Sequence, residues 1–163
     1  MTDDATPWHE ELATVAARLE AKTKQARWTD RTAHLIERDF VIGAYAMRKL
    51  IESHIMPAEL SQSQLPVRHY DQAGRPPDLR YPDDIADSYD FEHGRRKTLS
   101  VLDLCHEIMH SSVFACFCGE TADLFDGIYV SSGVTHVYLV LASDFIALCS
   151  DIAENGCTQS KFD

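Results

Sequence analysis

Apolar side chains in this chain recur first at helical and then at strand spacing, and the rhythm changes near residue 112. Trp8, Leu12, Val15 and Leu19 return every three or four positions, which predicts a helix over residues 7–27 with one apolar face. Its start is marked by Thr6-Pro7 followed by Glu10 and Glu11: a cap, a proline in the first turn and acids at the positive end of the helix dipole. Thr29-Asp30 reads as a second cap, opening a helix over 30–56 with Ile36, Phe40, Met47, Ile51 and Ile55 on one side. Val41, Ala44, Tyr45 and Leu50 widen that side, so this helix is expected at the centre of the core. Gly43, Ala44 and Ala46 are small enough to let a second helix come close.

The pattern then lapses. Residues 57–98 contain four prolines between Pro66 and Pro82, with "DQAGRPPD" and "RYPDD" as charged punctuation, and they read as one long proline-rich loop. Helical spacing returns at Ser100, which with Asp103 forms a plausible capping box ahead of Val101, Leu104, Cys105 and Ile108. From there the rhythm is that of strands. "VFACFC" reads as one strand, and "GIYVS" and "VTHVYLVLA" read as a hairpin across a Ser-Gly turn. Ser143-Asp144 caps a last helix carrying Phe145, Leu148, Cys149 and Ile152 on one face, with Gly156 at its end. The expectation is an α+β fold in one domain, residues 1–163: an N-terminal helical hairpin or bundle packed with a small antiparallel sheet of about three strands and a closing helix.

Composition adds the compartment and the partners. No apolar run approaches the roughly 20 residues that span a bilayer. The opening "MTDDATPWHEE" is polar and acidic, unlike a secretory leader, which predicts a cytoplasmic protein. Five cysteines are an odd set and are expected as reduced thiols. The net charge of −11 is unevenly spread, with nine acids against Lys161 alone from residue 99 onward. Such a surface repels phosphates, so neither nucleic acid nor an anionic membrane is expected as a partner, whereas a basic protein is compatible with it. The wide apolar face of the second helix and the contrast between a mixed-charge first half and an acidic last third predict a homodimer.

One short stretch carries candidate chemistry. "CHEIMHS" contains His106-Glu107-x-x-His110, the spacing with which a helix offers two imidazoles to one zinc ion and a glutamate to a bound water. Under that reading His106 and His110 are ligands and Glu107 is the general base of a zinc-dependent hydrolase. The third ligand would come from Cys116, Cys118, Glu120, Asp123, Asp126 or His136. The competing reading is plainer: Asp103, His106, Glu107 and His110 fall at i, i+3, i+4 and i+7, the polar stripe opposite the apolar face. It makes the chain a small accessory protein that binds or assembles rather than catalyses, with no cofactor. No phosphate loop, dinucleotide fingerprint or nucleophile elbow is present, and "GRRKT" reads as a basic patch paired with acids such as Asp87 and Asp90.

The segment "LSVLDLCHEIMHS", after a helix such as "RDFVIGAYAMRKLIE", resembles a pattern in uncharacterised bacterial proteins that carry "CNxIIH", with asparagine where this chain has His106. That resemblance implies that the His106-Glu107 pair is not an inherent zinc motif. The same helix is more distantly similar to HEPN helical domains. Their signature would fall on Cys105, His106 and His110, with cysteine in place of the arginine that handles phosphate, which implies no active nuclease chemistry.

Overall fold

Two strands lie inside the stretch that reads as a loop, and they complete the sheet. The computed structural model describes residues 6–119 and 124–159, except the side chains of Thr6 and of residues 156–159. In chain order the elements are α1 (Thr6–Thr23), α2 (Asp30–Glu52), α3 (Ala58–Ser61), β1 (Gln64–Asp71) and β2 (Arg95–Ser100). They continue as α4 (Val101–Met109), β3 (Val113–Cys118), β4 (Phe125–Ser131), β5 (His136–Leu141) and α5 (Ala142–Gln159). The strands form one antiparallel sheet in the order β2-β1-β5-β4-β3. The α+β class therefore stands, and the sheet has five strands rather than about three.

The helices follow their local signals closely. Thr29 caps α2 by accepting the Thr32 N–H, and the Thr32 hydroxyl accepts from the Thr29 N–H in return. The helix stops at Glu52, short of the expected residue 56, because His54 turns into the left-handed region at φ 56°. Ser100 caps α4 through the Asp103 N–H at 3.1 Å. α5 begins one residue before Ser143 and continues through Gly156 to Gln159.

All the long helices pack on one face of the sheet. Phe40 of α2 sits at the centre, stacked on Phe145 of α5 at 4.3 Å and edge-on to Phe114 and Phe125 of the sheet. Each such buried side chain stabilises the fold by about 1.5–3 kcal/mol. A Cβ at Gly43 would lie 3.1 Å from the Phe145 ring and 3.3 Å from Val15, so glycine there is what lets α1 and α5 close on α2. Asp39, fully buried on α2, is paired with Arg18 of α1 at 2.9 Å and ties the first two helices together.

The opposite face is covered only in part, by residues 72–94. This segment is pinned to the end of β1 and to the edge of β3. Gln72 bridges Tyr89, the Asp90 N–H bonds the Asp71 carbonyl, and the Phe114 N–H bonds the Pro82 carbonyl. Gly74 makes the turn at φ 74°, where a Cβ would come within 2.6 Å of the Asp87 carbonyl. Ile85, Tyr89 and Phe91 of the wrap then pack on Tyr70, Val113, Ala115 and Val137 of the sheet. The Pro82 bond also occupies part of the β3 edge, which would otherwise offer a free ladder.

Candidate functional site

On α4 the two faces separate cleanly. Val101, Leu104, Cys105 and Ile108 are buried against the core, while Asp103, His106 and His110 are exposed and Glu107 is half-buried. The His106 and His110 rings are neighbours, with centroids 4.9 Å apart. Glu107 is engaged elsewhere: its Oε2 accepts the Ser132 N–H at 2.6 Å, fastening the turn between β4 and β5 to the helix.

The other residues weighed as ligands are dispersed. Cys116 is held protonated by burial, assisted by the neighbouring Cys118, Glu37 and Asp83, and its pKa is pushed up to about 12. Cys118 and Asp126 are exposed at the far end of the β3–β4 pair, and Glu120 and Asp123 lie outside the described residues. Among the described residues no group of three or more His, Cys, Asp or Glu side chains is placed to hold a metal ion.

His136 belongs to a different cluster, which spacing alone does not reveal. It stacks on His69 of β1 with centroids 4.7 Å apart, and Tyr138 stands edge-on to both rings. His69 is buried, and Arg95 Nη2 lies 3.2 Å from its Nδ1. A guanidinium can only donate, so Nδ1 is the acceptor and the ring is neutral with its proton on Nε2. Burial is the main cause that lowers the His69 pKa, followed by Lys97, His136 and Arg95, with Asp71 opposing. Burial likewise raises the Tyr138 phenol, helped by Glu107 and Asp103 across on α4.

A groove of about 880 Å³ lies on the outer face of the sheet, beside the wrap. The register builds its floor in two rows. In one, Arg96 lies opposite Arg68, Arg68 opposite Leu139, Leu139 opposite Tyr129 and Tyr129 opposite Ala115. In the next, Thr98 pairs with Pro66, Leu141 with Gly127 and Gly127 with Phe117. A Cβ at Gly127 would meet the Val140 carbonyl at 2.5 Å, and its absence leaves the second row open between Leu141 and Phe117. The wrap seals the Ala115 and Tyr129 end, where burial pushes the Tyr129 phenol up to about 12. It stops short of Leu141, which remains 38% exposed.

"GRRKT" is thus the edge strand β2, with its charges divided between the faces. Arg95 pairs with Asp71 at 3.1 Å, not with Asp87 or Asp90, and Asp90 holds His93 instead. Arg96 turns outward to the groove. The groove residues share no local motif. The one signal in sequence is the alternation of Leu65, Val67 and His69 with Pro66, Arg68 and Tyr70.

Comparison of this chain with protein-family models, with curated proteins and with solved structures gives no match.

Proposed function

We propose that this chain is a binding protein rather than a catalyst, and that its ligand lies in the outer-face groove. The observation that carries this reading is the unequal cover of one sheet face. The wrap buries Tyr70, Val113, Ala115 and Val137 and packs against part of Leu139, yet Leu139, Leu141 and Phe117 together line a concave, mainly apolar floor beside it. A concave, mainly apolar surface with a few polar groups at its margin is what small-ligand sites share. The engagement of Glu107 with the Ser132 N–H supports a structural role for α4 over that of a general base.

The test is a neutral solvatochromic dye such as Nile red. Its fluorescence is expected to rise with the native protein and to lose that rise in Leu141→Glu, which sets a charge on an already exposed part of the floor. An equal rise in both proteins would place the dye elsewhere and contradict the reading.

Two copies of the chain are also proposed to pair, across a second apolar surface where Trp8 of α1 meets Tyr45 of α2 at 5.4 Å beside Val41 and Ile42. Glu11 borders this surface and Lys49 lies over the Tyr45 ring, so it carries both signs of charge. A two-fold contact can bring such a surface against itself with opposite charges facing.

A further inference from the structure

We infer that the occupant of the groove is a small amphipathic anion, its charged head held between Arg68 and Arg96 and its apolar body laid along Leu139, Leu141 and Phe117. This rests on the groove being the binding site, and it goes further by naming the class of ligand.

Arg68 and Arg96 are directly opposite across the β1–β2 ladder, on the face that lines the groove. Like charges in that position repel and destabilise the pair of strands. Among the described residues no carboxylate bonds to either guanidinium, although Arg75, Arg80 and Arg95 nearby are each matched with an aspartate. The chain has 26 acidic side chains against 15 lysines and arginines, so a shortage of acids does not explain the omission. A local rule broken with no compensating gain in the fold is the mark of a functional position.

A plainer account would make the arginines a guard against edge-to-edge aggregation, a usual task for basic side chains on an edge strand. It covers Arg96 and Lys97 on β2. It does not cover Arg68, because β1 is flanked by β2 and β5 and is no edge at that position. Two guanidinium forks side by side present paired donors suited to the oxygens of a carboxylate or phosphate, and an anion between them relieves their repulsion.

The remaining features fix the polarity and size of the ligand. Asp144 lines the groove from the start of α5, just beyond Leu141, and would repel a negative group there. The head therefore goes to the arginine end and the apolar body toward Leu141 and Phe117. A volume of about 880 Å³ lies within the range of small-molecule sites. A dispersed small molecule is favoured over a bilayer, since a chain of net charge −11 is repelled by an anionic membrane surface.

The experiment is calorimetric titration of the native protein and of an Arg68→Gln/Arg96→Gln double variant with decanoate, decyl phosphate and decyltrimethylammonium, each below its micelle concentration. Decanoate or decyl phosphate is expected to bind the native protein, and to bind the double variant about tenfold more weakly or worse, from the loss of charge-assisted hydrogen bonds. The cation is expected not to bind. The variant should melt no lower than the native protein, because it relieves a repulsion, and that keeps loss of binding distinct from loss of fold. Equal anion affinity in both proteins, or a cation bound as tightly as the anions, would overturn the head-group assignment while leaving the groove as the site. If no amphiphile of any charge bound and Nile red fluorescence also failed to respond, the groove reading itself would fall, and this inference with it.

Discussion

Glu107 of α4 holds the Ser132 N–H at 2.6 Å, so the acid in the middle of a zinc-peptidase-like spacing serves as the latch of a β-hairpin turn. Deleting a charged acceptor from a half-buried amide costs about 1–2 kcal/mol. Glu107→Ala is therefore expected to lower the unfolding free energy measured by urea titration by that amount, and Glu107→Gln, whose amide oxygen still accepts, to recover most of it. An alanine variant as stable as the native protein would show that the bond is unimportant in solution.

The metal question has its own measurement. His106 and His110 are neighbouring exposed rings, and the structure brings no third ligand to them among the described residues. Protein purified without an affinity tag is expected to carry well below one equivalent of zinc, and chelation to leave its melting temperature unchanged. A bound metal adds directly to native-state stability, so a chelator-sensitive melting temperature that His106→Ala abolishes would reinstate the hydrolase reading.

The buried His69 predicts a dependence on acid. Its pKa is lowered from the ordinary 6.5, first by burial and then by Lys97, His136 and Arg95, with Asp71 alone opposing. The unfolded chain therefore binds the proton more readily. The stability that comes from keeping this ring neutral is complete above about pH 6.5 and is lost as the pH falls toward the folded-state value. Urea midpoints should fall between about pH 7 and about pH 5, and fall less steeply in His69→Phe, which keeps the stack on His136 without the titration. Identical slopes in the two proteins would assign the acid sensitivity to other groups.

These features were unequally legible in the sequence. The α2 cap at Thr29, the α4 cap at Ser100 and the strand "VFACFC" are local, and local chemistry places them within a residue or two. β1 was hidden by Pro66, which argues against an internal strand. It is tolerated because the pairing with β5 begins only at Arg68, so β1 borders β2 alone at that point. β2 was hidden by composition, since "RRKTLS" reads as a solvated patch until it becomes an edge, where basic residues are at home. The groove could not be read at all. Its floor joins Arg68, Arg96, Phe117 and Leu141 from four strands, and only the register sets them side by side.

Self-association through the Trp8–Tyr45 surface predicts a mass near twice that of one chain across a range of concentrations. Trp8→Ser should return it to one. Trp8 lies at the margin of the core rather than inside it, so the variant is expected to stay folded. Light scattering that reports single chains throughout, in the native protein and the variant alike, would remove the dimer.

The most direct test of the binding site is a map of where a ligand lands. In an amide NMR titration of the native protein with decanoate, shifts are expected to concentrate at residues 67–68, 96–98, 117 and 139–141, with the signals of His106 to His110 unmoved. Shifts centred on α4, or a spectrum that never changes, would contradict that site.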